Sequence, residues 1–399
     1  MTTGGAADLL RKPGQPQRAT FLELFFDLVF IFALNRVSHR LVEDITSQRR
    51  IVLTEAGQTL VVLLAVWLVW TATAIITDIY DPDQPQIQLL VVGTMFASLV
   101  MAVAVPAAFS RRGLLFAGAY VSVHVGRGLY LVPALRGHEA QRRAARVLFW
   151  FGVSAVPWIA GALFPESVTR GVLWTLAIAL DYAALVLRLP TPGLGRPSMT
   201  ELPVTAEHLS ERYRQFFIIA LGELIIVASA TFSGSDLKPG SAAAFAVCFA
   251  ITVLFWRIYF YTAGGLFHAA IATARSPGRL AITLSLAHLL MVTGIVATSA
   301  GFELVIAHPF GHTDSAWAAV ILGGPALFLL GRAVLEYAVF SRVSPARPIG
   351  ALVLAGAAPG ILHTPPLSAA TASLLVLVAV AVTDVARTRR HPRQPLPPG

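Results

Sequence analysis

The sequence has few charged residues and almost no cysteine. Asp, Glu, Lys and Arg make up 13% of the 399 residues, against roughly 25% in soluble domains. A chain with so few charges has too little polar surface to cover a soluble fold of this size. Because Cys248 is the single cysteine, a disulfide within the chain is excluded.

Motifs of soluble enzymes and of metal proteins are also missing. The sequence has no glycine-rich phosphate loop, no HExxH zinc pair and no Cys/His cluster. We therefore expect no cofactor and no metal. The acidic stretch "DIYDPD" (78–83) is similar to half of a Mg²⁺–diphosphate site. A second acidic cluster of that kind is absent, and Asp and Pro also build solvated turns.

Apolar residues dominate instead, at 56% of the chain with a mean hydropathy of +0.71. A helix needs about 20 apolar residues to cross the hydrocarbon core of a bilayer. Because lipid offers the backbone no hydrogen-bond partner, each such stretch predicts a helix. The sequence thus predicts an all-α, polytopic transmembrane helix bundle of about twelve spans. We place them near residues 20–40, 52–77, 87–109, 113–134, 145–164, 168–188, 212–232, 241–263, 280–305, 316–340, 347–363 and 367–386.

The longest linker divides these spans into two sets of six. The seventh span resembles the first and aligns Glu223 with Asp27, which suggests a 6+6 internal repeat, although apolar helices also resemble one another by composition alone. The predicted parts are an N-terminal tail (1–19), a first membrane half (20–188), a linker (189–211), a second membrane half (212–386) and a basic, Pro-rich tail (387–399).

Lys and Arg are concentrated in the linkers that lie on the same side as the N-terminus. This bias predicts that both termini lie in the cytoplasm and that the chain is a multipass protein of the bacterial inner membrane. It also accounts for the net charge of +9 without nucleic acid as a partner. The lipid bilayer is the expected partner.

Two carboxylates, Glu23 and Asp27, occur in the apolar stretch "TFLELFFDLVFIFALNRV" (20–37). Four residues apart, they share one helix face. Ionisable groups inside a bilayer cost about 2.5–3.5 kcal/mol each on insertion scales, so they face protein or water and tend to pair. One of the two acids should hold a proton unless a cation or an arginine lies between them. This suits a proton relay or a cation site; the alternative is a structural pair with an arginine.

Arg127, Glu223 and His288 complete the main candidates for binding a substrate or an ion. Arg127 lies between two glycines, which let a helix or a ligand come close; it could pair with Asp27 or Glu223, or hold an anion. His288 could take up a proton near neutrality or be a hydrogen-bonded structural residue. Secondary candidates are the other ionisable residues inside spans: His124, Asp181, Arg257, Glu303, Arg332 and Glu336.

Two pairs of these candidates share a span. Arg332 and Glu336 are four residues apart, so we expect them to satisfy each other. His288 and Glu303 lie on one span and could line one cavity from opposite ends. No residue is predicted to be catalytic.

Several segments together resemble a known family, the bacterial low temperature requirement A (LtrA) family, over roughly residues 18–340. The segments are "FLELFFDLVFIFAL", "ERYRQFFIIALGELIIVAS", "AHLLMVTGIVATSAGFELV", "GRGLYL" and "LDY". The resemblance implies a polytopic inner-membrane protein tied by name to growth in the cold, without a settled molecular activity. By position, the acids and the histidine of the family correspond to Glu23, Asp27, Glu211, Glu223 and His288. The chain departs from the family pattern at "FWRIYFYTAG", where it has Arg257.

Three functions are compatible with these features. The first is an ion- or proton-coupled transporter of a small solute, with Asp27 and Glu223 as proton or cation sites and Arg127 as the counter-charge. The second is a membrane-embedded enzyme acting on a lipid or apolar substrate, with the same acids as general acid and base. The third is a non-catalytic membrane sensor or scaffold. We favour the transporter, because transporters often contain two repeated halves.

Overall fold

The computed structural model describes residues 4–12, 18–48, 53–164, 168–197, 206–263 and 277–390. This part of the chain is built from helices. A single turn, Gly4–Ala7, precedes the twelve long ones. The long helices are α1 (Phe21–Gln48), α2 (Leu53–Ile79), α3 (Pro85–Ala104), α4 (Gly113–Ala134), α5 (Ala140–Leu163), α6 (Val168–Val186), α7 (Ala206–Ser233), α8 (Pro239–Ala263), α9 (Pro277–Ala307), α10 (Ser315–Phe340), α11 (Ala346–Ile361) and α12 (Pro366–Arg390).

Each long helix coincides with one predicted span, which confirms the prediction of a polytopic helical membrane bundle. Among the described residues, ten helices are long and apolar enough to cross a membrane, and α1 and α11 are the two outside that group. Helix α1 has the length but carries Glu23, Asp27 and Arg36 in its apolar part. Helix α11 has 16 residues, which at 1.5 Å per residue is shorter than a hydrocarbon core of about 30 Å.

Local sequence explains where several helices begin and end. Helices α3, α8, α9 and α12 start at a proline, whose fixed φ suits the first turn and whose missing N–H would have no partner there. Asp314 caps α10, because its carboxylate accepts from the backbone N–H groups of Ala316 and Trp317 at 3.1 and 3.0 Å. The same helix ends at Ser341 in the left-handed conformation, with φ 52°, a common helix stop.

The chain forms two compact units whose boundaries fall inside α1, near the start of α2 and inside α7. The first unit contains residues 1–37 and 57–212, and the second contains residues 38–56 and 213–399. In the first unit α4 packs on α3 and α5, and α5 packs on α6; in the second, α10 packs on α9 and α11, and α8 packs on α12. The division into tails, halves and linker stays a prediction. Residues 198–205 of the linker and 391–399 of the C-terminal tail lie outside the described residues.

Part of the N-terminal segment is packed against the end of α2. Leu10 forms an antiparallel bridge with Tyr80, and the N–H of Arg11 donates to the carbonyl of Ile79 at 3.1 Å. Leu9 is buried. This segment therefore belongs to the first unit and brings the side chain of Arg11 to the end of α2.

Two glycines set the contact between α9 and α10. A Cβ built on Gly294 would lie 2.6 Å from the backbone nitrogen of Phe328, and one built on Gly324 would lie 2.6 Å from that of Thr298. Real Cβ atoms do not approach so closely. Small residues here let the two backbones touch, as is common between membrane helices.

Candidate functional site

A group of ionisable side chains is buried in the first unit where three helices meet. Glu23 and Asp27 lie one turn apart at the start of α1, Asp78 is in the last turn of α2, and His208 and Arg212 lie one turn apart at the start of α7. All five are 2% exposed or less. We call these five residues the ionic cluster.

Asp27 binds Arg212 through both carboxylate oxygens. Nη2 of Arg212 donates to Oδ1 at 2.7 Å, and Nη1 donates to Oδ2 at 2.9 Å. The indole N–H of Trp70 donates to Oδ1 at 2.8 Å. Two parallel N–H···O bonds form the strongest arrangement of an arginine and a carboxylate. Asp27 therefore fixes the relative position of α1, α2 and the start of α7.

The ring of His208 lies between two carboxylates. Nε2 is 3.0 Å from Oε1 of Glu23, and Nδ1 is 3.1 Å from Oδ1 of Asp78. Carboxylates accept hydrogen bonds, so a ring with a proton on each nitrogen satisfies both of them. The other oxygen of Glu23 accepts from the backbone N–H of Thr20 at 2.8 Å.

Arg212 and Arg11 complete the charge balance of the cluster. Nε of Arg212 lies 3.6 Å from Oε1 of Glu23, so this arginine connects the two acids of α1. Nη2 of Arg11 lies 3.4 Å from Nε2 of His208 and donates to the carbonyl of Thr77 at 3.0 Å. Three carboxylates then face two arginines and one histidine. When both ring nitrogens of His208 carry a proton, the histidine is positively charged and the net charge of the group is zero.

The contacts form a continuous series of ionisable groups. It runs from Asp27 through Arg212 to Glu23, and from Glu23 through His208 to Asp78, with each step between 2.7 and 3.6 Å. Such a series can hold a proton at several positions. Within the described part of the chain, no group of three or more His, Cys, Asp or Glu side chains could hold a metal ion.

Sequence reasoning identified two members of this cluster and missed the others. Pairing with an arginine was one of two alternatives for Asp27, with Arg127 as a possible partner; the arginine that binds Asp27 is Arg212. His208 was not among the candidates, and Asp78 was considered only as part of the acidic stretch "DIYDPD", whereas the structure buries it against His208. The available signal was the spacing of His208 and Arg212, which lie four residues apart at the start of the seventh span and so share a helix face.

Arg127 lies elsewhere in the first unit, on α4. Its Nη2 donates to the hydroxyl of Thr73 at 2.8 Å and lies 3.5 Å from that of Thr94. No carboxylate of the described residues forms an ion pair with it. One turn away, the ring of His124 stacks on Phe151, with centroids 4.0 Å apart.

Asp181 is also buried in the first unit. Its Oδ2 accepts from the hydroxyl of Tyr120 at 2.7 Å and from the indole N–H of Trp158 at 3.3 Å. These bonds join α6 to α4 and α5, so the geometry of this acid is that of a packing contact.

In the second unit, Glu223 and His288 are both buried. Glu223 accepts from the hydroxyl of Ser299 at 3.3 Å. Nδ1 of His288 is 2.7 Å from the carbonyl of Leu284, and Nε2 is 2.9 Å from the hydroxyl of Tyr259. Both ring nitrogens of His288 thus have hydrogen-bond partners. This geometry fits the alternative in which His288 is a hydrogen-bonded structural residue.

Arg332 and Glu336, which were expected to satisfy each other, have other partners. Glu336 pairs with Arg347 rather than with Arg332, and Arg347 also binds Asp384 at 2.8 Å. Arg332 donates from Nε to the carbonyl of Ile258 at 3.3 Å. The binding roles of these residues stay predictions.

Glu303 and Arg257, by contrast, are not enclosed. Glu303 lies 3.3 Å from Nδ1 of His39, and both side chains are partly exposed. The guanidinium of Arg257 lies 3.9 Å from the ring centroid of Tyr261, a cation–π contact.

Comparison with known proteins assigns the family. The model of the bacterial low temperature requirement A protein (LtrA) family matches residues 18–382. The chain is also similar to Uncharacterized protein RA0937 of Rhizobium meliloti (strain 1021), with 36% identity over 343 residues that cover 84% of this chain and 81% of the relative. The matched range includes every candidate residue from Glu23 to Glu336. Membership of this family agrees with the apolar helices of a multipass membrane protein. The chain belongs to the bacterial low temperature requirement A protein (LtrA) family.

Proposed function

We propose that the protein is a proton-coupled carrier of a small solute in the bacterial inner membrane, with the ionic cluster as its proton-bearing element. The observation that supports this most is the position of His208 between Glu23 and Asp78 inside a bundle of membrane helices. Ionisable residues within membrane bundles are costly and commonly mark ion pathways and proton relays.

The cluster couples proton occupancy to helix contacts. Glu23 belongs to α1, Asp78 to α2 and His208 to α7. When His208 carries a proton on each nitrogen, it holds both carboxylates. After loss of one proton, one carboxylate faces a ring nitrogen that no longer donates, and the contact between two helices weakens. A ligand that binds one of the two arrangements better would shift the proton equilibrium, which is how binding and proton movement become linked.

The distribution of Lys and Arg among the linkers supports the orientation in the membrane that we propose. The excess of Lys and Arg in linkers on the N-terminal side favours a cytoplasmic position for both termini. In that orientation the cluster, at the start of α1 and the end of α2, lies near the cytoplasmic face. Protons would then enter or leave the cluster from the cytoplasm.

Solute-evoked proton movement tests the proposal. The protein is reconstituted into liposomes that contain a pH-sensitive dye, and a panel of small organic acids, amines and sugars is added outside. We expect at least one solute to change the internal pH with the wild-type protein and not with protein-free liposomes. The variants His208→Gln and Asp27→Asn should reduce the initial rate at least tenfold.

His312→Gln is the matched control, because His312 is exposed in the loop after α9. It should keep the wild-type rate. Insertion and thermal stability of every variant are measured in parallel. A pH change that survives both cluster substitutions contradicts the role of the cluster, and no pH change with any solute contradicts the carrier.

A further inference from the structure

A cavity of about 390 Å³ lies between α3 and α4 in the first unit. Its size falls within the range of roughly 300–1,000 Å³ that is typical of sites for small molecules. Its walls are mostly apolar, and Arg127 supplies the charge among the lining residues. We call this cavity the α3–α4 cleft.

The guanidinium of Arg127 is an unbalanced positive charge beside this cleft. The residue is 6% exposed, and the bonds it makes go to the neutral hydroxyls of Thr73 and Thr94. Its Nε has no hydrogen-bond partner. A buried charge is strongly disfavoured unless an opposite charge lies nearby. An anion in the cleft would supply the missing opposite charge.

Two glycines keep the cleft open. Gly93 on α3 and Gly126 on α4 both line it, and a Cβ built on either would meet no atom within 4 Å. Gly128 on the same helix differs, because its Cβ would lie 2.8 Å from the side chain of Leu148. Helix packing thus requires a small residue at Gly128, whereas Gly93 and Gly126 are adjacent to open space.

The position of Arg127 restricts the kind of anion. It lies seven residues before the end of α4 at Ala134, which corresponds to roughly 10 Å along the helix axis. Leu89 in the cleft wall is 74% exposed and Tyr130 is 39% exposed, so the cleft opens on an apolar outer surface. Because the cleft walls are mostly apolar and open on an apolar surface, an anion that carries an apolar chain suits this site better than a fully polar anion.

We propose that the α3–α4 cleft binds a small amphiphilic carboxylate, whose anionic group pairs with Arg127 and whose apolar chain lies along α3 and α4. A planar guanidinium matches the two oxygens of a carboxylate. This inference names the class of solute that the proposed carrier would move, and it rests on that proposal only for the movement of the bound molecule. Binding itself requires no transport.

Direct binding of decanoate tests the site. Protein in nanodiscs of phosphatidylcholine is titrated with radiolabelled decanoate, and bound label is counted by scintillation proximity. We expect saturable binding that Arg127→Gln weakens at least tenfold. Gly126→Leu should abolish binding by filling the cleft, and it should fold because the added side chain enters open space. Gly118→Leu is the matched control: it lies on α4 outside the cleft lining, its Cβ also meets no atom within 4 Å, and it should bind as the wild type does.

Competitors define the recognised chemistry. Unlabelled dodecanoate should displace decanoate, whereas acetate, which lacks the chain, and decanol, which lacks the charge, should not. Displacement by phosphatidylglycerol in the nanodisc would identify a lipid headgroup as the occupant and overturn the proposal. Absence of saturable binding, or full binding by Gly126→Leu, would overturn it as well.

The two proposals fail separately. If decanoate binds at Arg127 but no solute changes the internal pH of liposomes, the carrier is refuted and the site stands. If a solute moves protons but decanoate does not bind, the site is refuted and the carrier stands.

Discussion

Asp27 shows how a single buried carboxylate can hold three helices together. The carboxylate receives two hydrogen bonds from Arg212 and one from Trp70, all between 2.7 and 2.9 Å. In a low-dielectric interior, the loss of one partner leaves a charge with no compensation, which is worse than the loss of both.

A double-variant cycle on this pair measures its coupling. Arg212→Met should lower the free energy of unfolding by about 3–5 kcal/mol, because it leaves Asp27 buried without its cation. Asp27→Leu combined with Arg212→Met should recover a large part of that loss. Unfolding is followed in detergent by tryptophan fluorescence or thermal scanning. If the double variant loses the sum of the two single losses, the pair is not coupled.

Sequence reasoning could predict that Asp27 needs an oppositely charged partner but not which residue provides it. The pattern of α1 predicts two acids on one face, and the cost of a buried charge predicts an arginine nearby. Which arginine fills the role depends on how α7 packs on α1 and α2. That contact joins residues 185 positions apart, so no local pattern contains it. His288 was predicted with two alternatives, and its hydrogen bonds to Tyr259 and Leu284 fit the structural one.

At the scale of helices, the agreement between sequence and structure has a physical cause. In lipid an apolar stretch of sufficient length has one favourable backbone form, so hydropathy alone located all twelve long helices of the described residues, of which ten are long and apolar enough to cross a membrane. The N-terminal segment was instead predicted as a tail, because its short polar sequence carries no such signal. Its contact with the end of α2 depends on two backbone hydrogen bonds, from the N–H of Arg11 to the carbonyl of Ile79 and from the N–H of Asp81 to the carbonyl of Leu9, which hydropathy does not report.

Adjacent glycines on α10 provide a test of helix contact. Gly324→Ala should destabilise the second unit by about 1–3 kcal/mol, since its Cβ has no room against α9 and overpacking costs this amount. Gly323→Ala is the control, because a Cβ there meets no atom within 4 Å; it should be neutral or stabilising by about 0.5–1 kcal/mol through helix propensity. Thermal unfolding in detergent gives both values. Equal effects would contradict the close contact of α9 and α10.

At the scale of the whole molecule, the orientation in the membrane is the next property to establish. The single natural cysteine, Cys248, is buried, which favours low background in labelling experiments. The loop between α4 and α5 and the loop between α3 and α4 lie on opposite sides of any membrane that α4 crosses.

Cysteine labelling with a membrane-impermeant maleimide tests the predicted orientation. Glu139→Cys should react in inside-out vesicles and not in intact spheroplasts, because we expect its loop in the cytoplasm. Arg111→Cys should show the reverse. Both positions are exposed. The opposite pattern at both sites would place the termini outside, and the ionic cluster would then face the periplasm.

The distance along the chain between Asp27 and Arg212 has a consequence for biosynthesis. At 5–20 residues per second, a ribosome needs roughly 10–40 s to synthesise the 185 residues between them. During this time α1 emerges with two acids and without their arginine, while Trp70 arrives early enough to bond Asp27. The first helix is therefore dependent on the insertion machinery, or on α2, until α7 has been made. Conditions that slow translation lengthen this interval.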